Sequence, residues 1–246
     1  YAGIDPVYEL IPVRPVVHYM MGGIDTDITG ATALPGFYAA GECACVSING
    51  ANRLGSNSLT ELLVFGSRAG KAAAQFALES PRPITASLEL QAAEEQERIS
   101  RNFFRKEGGA ERIFTLRKEM NETMETSAGI YRSEKSLKET CNKIKELKDR
   151  FSNIIMEDKS FSFNTELTSA LELEFMLDVA EAISYSALER TESRGSHQRT
   201  DFPGRDDENF LKHSLAYQND IEPRIDYKDV VITKWPPGER VYGKEE

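Results

Sequence analysis

The chain changes character near Ser80, and that change constrains its fold more than any other feature. Before Ser80, short apolar runs alternate with glycines and few charges occur. Beyond it lie long, charged stretches whose apolar residues recur at helical spacing. Glycine-punctuated runs read as strands and turns, and a 3.6-residue period reads as amphipathic helix. The expected class is therefore α+β, with boundaries at 1–80, 84–191 and 192–246. These are a mixed first region, an antiparallel helical bundle, and an irregular, Arg-rich segment ending in a short β tail.

In the first region Val13–Tyr19, a β-branched run broken by Pro15, is expected as a strand or extended segment. Ile24–Asp27 is expected as a short strand. Phe37–Gly41 is expected as a buried strand after the turn at Pro35-Gly36. Residues 45–57, rich in Gly, Asn and Ser, read as loop. A helix is expected from Leu59 to Leu78, opened by an S-x-x-E capping box of Ser58 and Glu61 and stopped by Pro81 and Pro83.

Four further helices are marked by apolar stripes. The first is Leu88, Ala92, Ile99 and Phe103; the second is Ile113, Leu116, Met120 and Met124. The third is Leu137, Cys141, Ile144, Phe151 and Ile155, with Ser133 as its N-cap. The fourth is Leu171, Phe175, Met176, Val179, Ile183 and Ala187. One stripe on each suggests antiparallel helices burying a common core, with charge runs such as Lys143–Arg150 as solvated faces. From Glu192 the pattern fails. Ser193–Asn209 is dense in Arg, Asp and Gly and carries His197 and Pro203. It reads either as a mobile loop or as a segment ordered by contact with another part of the protein. Asp229–Lys234 reads as β structure, ended by Pro236-Pro237.

A net charge of −10 repels a phosphate backbone and argues against nucleic acid as a partner. The three cysteines, Cys43, Cys45 and Cys141, form no disulfide framework. The Cys43/Cys45 pair lacks further ligands in sequence reach, so no metal site is expected and small core residues are the preferred reading. No apolar run approaches the ~20 residues that span a bilayer. The chain opens on Tyr1 inside an irregular segment, and a missing N-terminal portion is expected.

Three segments carry chemistry. The first, from Ser47 to Leu59, is a Gly-rich loop delivering a lone Arg, Arg53, just before a helix start. A guanidinium can clamp a carboxylate through two parallel hydrogen bonds, and a helix start offers unpaired N–H groups and a positive dipole end. An ordinary loop with a surface Arg is the competing reading. The second is His18-Tyr19-Met20-Met21-Gly22-Gly23, where His18 is placed either to meet a ligand or to serve as a hydrogen-bonded structural residue. The third is Gly41-Glu42. A carboxylate there can accept from vicinal hydroxyls, as in dinucleotide folds, or can sit on a surface turn.

In order and spacing these three segments resemble the flavoprotein subunits of fumarate reductases and succinate dehydrogenases. The run Glu192-Ser193-Arg194-Gly195-Ser196-His197-Gln198-Arg199 is similar to the same family's C-terminal signature. Arg205-Asp206-Asp207, Asn209-Phe210-Leu211-Lys212-His213 and Pro236-Pro237 through Arg240-Val241-Tyr242-Gly243 resemble the fumarate reductase branch.

The resemblance implies that the first region is the C-terminal part of an FAD-binding α/β domain. It implies His18, Arg53 and the Ser56 backbone as contacts to fumarate or succinate. Glu42 would hold hydroxyls of FAD, and Ser58 and Leu59 would form the helix start facing the flavin. It further implies hydride transfer between FAD and substrate, an iron–sulfur subunit as partner, membrane anchor subunits indirectly, and a cytoplasmic, peripheral place on the inner face of the cell membrane. Two departures stand out. Asn49 occupies a position where the family commonly has His. No G-x-G-x-x-G fingerprint occurs, so the N-terminal FAD-binding region and the proton-donor Arg are expected upstream, leaving no catalytic residue within the chain. An L-aspartate oxidase-like flavoprotein, which shares a similar loop, and a non-catalytic helical fragment with a relic flavin loop are the alternatives.

Overall fold

The computed structural model describes residues 3–81, 85–219 and 221–238. Pro83 and the run Arg240-Val241-Tyr242-Gly243 lie outside the described residues. Two units are distinguished, Tyr1–Glu79 and Ser80–Glu246.

In the first unit a two-residue parallel pair joins β1 (Ile24–Asp25) to β2 (Ala44–Cys45), and a single long helix, α1 (Asn57–Glu79), follows. Val13–Tyr19 adopts no regular secondary structure. The buried strand expected at Phe37–Gly41 does not form. Phe37–Ala39 is instead the return arm of a local reverse turn, with Thr32 N–H donating to the Phe37 carbonyl at 3.1 Å and Ala39 N–H to the Gly30 carbonyl at 2.9 Å. Backbone bonding within that turn satisfies the segment, so it does not recruit a sheet neighbour. Pairing with β1 begins only beyond Gly41, where the chain bends at φ +86°.

The Asp27 carboxylate stiffens the preceding turn by accepting from the N–H groups of Thr29 (2.7 Å) and Ala31 (3.0 Å). Gly30, at φ +79°, lets this turn press onto α1: a Cβ there would lie 2.6 Å from the Ala69 Cβ. Cys43 is exposed and only Cys141 is buried, which corrects the reading of the Cys43/Cys45 pair as core residues.

The second unit is mostly helical. It contains α2 (Thr85–Ile99), continued by a π-helical turn over Ser100–Phe104, then α3 (Ile113–Ser127), α4 (Glu134–Phe151) and α5 (Thr165–Glu189). Ser133 caps α4 by accepting from Ser136 N–H at 3.2 Å, and Asn164 caps α5 through Leu167 N–H at 2.8 Å. Arg150, at the end of α4, pairs with Glu111 ahead of α3, and Lys143 pairs with Glu119, so α3 and α4 run antiparallel. Lys148 meets Asp178, and Leu137 packs with Ala187, so α5 runs antiparallel to α4. Leu116, Met120, Ile144, Leu147, Leu173 and Leu177 form the core between the three helices.

Two expectations are corrected here. The Lys143–Arg150 run is not simply a solvated face, since Lys143, Lys148 and Arg150 are half-buried in ion pairs between helices. On α5 the buried face is Ala170, Leu173, Leu177, Ala180, Ser184 and Ala187, whereas Phe175 and Val179 stand in solvent. Small residues on that face allow the neighbouring helices to approach closely, and a search for large apolar side chains overlooks them.

Ser193–Asn209 is ordered, and by contact with other elements. Strands β3 (Tyr131–Arg132) and β4 (Gln198–Arg199) pair in parallel. The buried Arg199 guanidinium donates to the carbonyls of Ala187, Leu188 and Arg190 at 3.1–3.2 Å, closing the C-terminal end of α5. Its other edge pairs with Asp201 at 2.8 and 2.9 Å. The Glu192 carboxylate, fully buried, accepts from Arg190 (2.9 Å), Arg194 (2.7 and 2.9 Å) and Asp206 N–H (2.8 Å). A short helix, α6 (Asp207–Phe210), leads into an antiparallel hairpin of β5 (Lys212–Tyr217) and β6 (Arg224–Asp229). The β structure expected at Asp229–Lys234 therefore lies earlier in the chain, because the hairpin pairs Asp229 with Lys212 at its open end.

Candidate functional site

Within the first unit, three separate stretches of chain converge on one buried carboxylate. Glu61, in the second turn of α1, is 2% exposed. Its Oε2 accepts from the Tyr19 hydroxyl at 3.1 Å and from the Asn49 amide at 2.7 Å. The capping box expected from Ser58 and Glu61 is therefore not what Glu61 serves. Helix α1 begins earlier, at Asn57, and the Glu61 side chain is turned inward to Tyr19 and Asn49. An ionised carboxylate held from water in this way is tolerable only when hydrogen bonds replace hydration.

Tyr19 connects this carboxylate to Arg53. The guanidinium carbon of Arg53 lies 4.7 Å from the Tyr19 ring centroid, within the range of a cation–π contact. Burial, reinforced by the Glu61 hydrogen bond and charge, pushes the Tyr19 phenol above its ordinary range, so it stays a protonated donor. Arg53 donates through NH1 to the Leu54 carbonyl at 3.0 Å, while its Nε is buried without a hydrogen-bond partner. The loop that delivers Arg53 is bent sharply on both sides: Ser47 and Ser56 take φ +72° and +66°. Each such residue costs about 1–2 kcal/mol relative to ordinary backbone, so the loop shape is imposed by its contacts.

His18 is exposed and directly precedes Tyr19. On the other side of Tyr19, Met20 N–H donates to Glu42 Oε1 at 3.0 Å. The strip His18–Met20 thus has Arg53 against its middle residue and Glu42 against its end. Ser56, Ser58 and Leu59 lie instead at the start of α1. No acidic residue occupies the first turn of that helix, which leaves its positive end uncompensated, and Leu59 is 66% exposed beside it. These features fit the two groups expected from the sequence. A loop guanidinium resting on an aromatic ring suits a carboxylate, and an apolar side chain at a positive helix end suits a flavin edge. Tyr19, Asn49 and Glu61 were not among the residues expected at the site. Local spacing marks Glu61 only as half of a capping box, and its bond to Tyr19, 42 positions away, leaves no local signal.

Comparison with known proteins gives a consistent picture. Residues 1–59 match the FAD binding domain family, which indicates FAD as cofactor, and residues 117–242 match the family described as fumarate reductase flavoprotein C-term. The fumarate reductase flavoprotein subunit of Mycobacterium tuberculosis is 58% identical over 248 residues, covering 99% of this chain and 42% of the relative. The succinate dehydrogenase flavoprotein subunit of Rickettsia felis is 41% identical over 265 residues, covering 98% of this chain and 43% of the relative. The solved structure of E. coli quinol fumarate reductase FrdA superimposes with a TM-score of 0.94 at 45% identity, over 100% of this chain and 42% of that one. The chain spans about two-fifths of the length of the curated relatives it matches. Matched over its C-terminal half and similar to these relatives across nearly all of its length, the chain belongs to the fumarate reductase flavoprotein family.

Proposed function

We propose that this chain works as part of a flavoprotein subunit that interconverts fumarate and succinate by hydride transfer with FAD. In this reading the first region is the C-terminal part of the FAD-binding domain (1–80), followed by a helical bundle domain (84–191) and the Arg-rich segment with its β tail (192–246). Electrons pass to or from an iron–sulfur subunit. Membrane anchor subunits hold the complex at the inner face of the cell membrane, with the flavoprotein peripheral to it. Among the described residues no helix is long and apolar enough to cross a membrane, which accords with that placement.

The observation that carries the reading is Arg53, lying on the ring of Tyr19, the residue next to His18. Arg53 and His18 grip one carboxylate of the diacid, and the backbone at Ser56 adds a further contact. Two groups fixing one end of a small, rigid substrate set the approach of its reacting carbons, which is where most of the catalytic advantage of such a site arises. The guanidinium also stabilises negative charge that grows on the clamped carboxylate during reduction. FAD, when bound, supplies or accepts the hydride. Glu42 would hold its hydroxyls, and Ser58 and Leu59 at the positive end of α1 would face its ring system. The proton is delivered by an Arg outside this chain.

In the complete protein Arg53→Ala should lower fumarate-dependent oxidation of a reduced viologen by on the order of 10²-fold or more. Activity within a few-fold of wild type would refute the role.

A further inference from the structure

We propose that Glu61 and Tyr19 are positioning residues that aim Arg53 at the substrate carboxylate. The inference rests on the functional reading above and adds the means by which its central side chain is held.

An arginine on a flexible loop loses rotamer freedom when it binds a ligand, and that loss weakens the grip unless something fixes the side chain beforehand. Two features of Arg53 hold it. Its NH1 is tied to the adjacent Leu54 carbonyl, and the face of its guanidinium rests on the Tyr19 ring. The ring is itself fixed at its far end, because the Tyr19 hydroxyl donates to Glu61 Oε2. The same oxygen accepts from Asn49, four residues ahead of Arg53 on the loop that carries it. One buried carboxylate oxygen on a rigid helix therefore anchors both the surface Arg53 leans on and the loop from which it projects.

Both donors to Glu61 are neutral, so the carboxylate's charge is not cancelled by an adjacent cation within the brace. A hydrogen bond to an ionised acceptor is about twice as strong as one between neutral groups, which accounts for a carboxylate here rather than an amide. Asn49 suits this role. It donates a hydrogen bond to Glu61 through an amide that carries no charge of its own. Displacing a clamp by even ~1 Å can lower turnover by about 10²-fold.

The test uses the complete flavoprotein with FAD content measured first. Tyr19→Phe removes the hydroxyl and keeps the ring; Tyr19→Leu removes the ring; Glu61→Gln removes the charge. For each, KM and kcat for fumarate are measured with a reduced viologen. Fumarate binding is followed by the change in flavin absorbance. Tyr19→Leu is expected to raise KM for fumarate and lower kcat, each by about tenfold, and Tyr19→Phe and Glu61→Gln to do so by about threefold. The deciding measurement is a double-variant cycle on fumarate binding. If Tyr19 acts through Arg53, then adding Tyr19→Leu to Arg53→Ala should weaken binding by less than twofold beyond Arg53→Ala alone. Equal, additive losses in the two backgrounds would mean Tyr19 is merely structural, and would overturn the inference.

Wild-type kinetics in Tyr19→Phe would overturn the part assigned to Glu61, and this variant decides the matter should Glu61→Gln fail to retain FAD. If Arg53→Ala abolishes turnover while all three brace variants stay within twofold of wild type, this inference fails and the functional reading stands. If the wild-type protein neither binds nor reduces fumarate, the functional reading itself fails.

Discussion

At the scale of single residues, the side chains that hold this molecule together include polar and charged groups far from water. Glu192, Arg199 and His197 are all buried beside α5. His197 accepts from Arg132 at Nδ1 (2.9 Å) and, in the tautomer these partners select, donates from Nε2 to the Arg190 carbonyl (3.0 Å). Burial holds its pKa down to about 4, opposed by the Arg190 carbonyl and aided by the charges of Arg132, Arg199 and Arg190. The folded ring therefore takes up a proton only near pH 4, whereas an unfolded His does so near pH 6.5. Between those values the unfolded chain binds more protons, so stability falls as pH is lowered through the window and is level above it. The full effect is on the order of 3 kcal/mol. His197→Gln should flatten the dependence between pH 7.5 and pH 5, read from denaturant midpoints of both proteins. Parallel pH profiles for the two would show that His197 contributes nothing to it. Two carboxylates, Asp201 beside Arg199 and Glu119 on α3, add a separate acid limb. Hydrogen bonds from Arg199 hold Asp201 well below the carboxylate range, and those from Arg150 and Lys143 bring Glu119 to about 2, so their contributions are lost at lower pH than the His197 effect begins.

At the scale of elements, α5 separates what periodicity suggests from what packing uses. Its apolar content is high around much of its circumference, so a stripe of large residues is easy to draw and easy to misplace. Leu173 is fully buried in the core, while Phe175, two positions on, is 62% exposed. Leu173→Ala in the complete protein should cost about 2–5 kcal/mol, because it leaves a cavity among Leu116, Ile144 and Leu147. Phe175→Ala should change stability by less than about 1 kcal/mol. Urea denaturation of the two variants tests this directly, and similar losses at both positions would mean the helix is rotated from the orientation described. The Ser133 cap is legible because it depends on a few adjacent residues. The apolar stripe extends the third helix to Ile155, but α4 ends at Phe151. Ile155 N–H donates instead to the Glu111 carbonyl at 3.0 Å.

At the scale of the whole molecule, the first unit leaves much apolar surface open. Leu10, Val13, Val17 and Leu63 are between 77% and 97% exposed. Apolar surface of this extent in one unit marks a region meant to be covered. The FAD binding domain family is matched here over residues 1–59, and the sequence holds no glycine fingerprint for a pyrophosphate. Residues 1–246 produced alone should therefore purify without flavin. A yellow product with flavin absorbance would contradict this, and the complete protein, isolated in parallel, should be yellow.

By itself the sequence determined the helices, the Ser133 cap, the glycine-rich loop around Arg53 and the family to which these belong. Each of these is written in short windows, where spacing and capping chemistry act on neighbours. Tertiary structure alone decided which groups those elements bring together: Glu61 beneath Tyr19 rather than at a helix cap, Phe37–Ala39 in a local turn rather than a sheet, and the run after Glu192 as a buried ionic cluster rather than a mobile loop. The physical reason is the same in each case. Burying a polar or charged group is unfavourable until its partners arrive, and those partners come from distant parts of the chain, so its position is settled by the assembled fold and not by local preference.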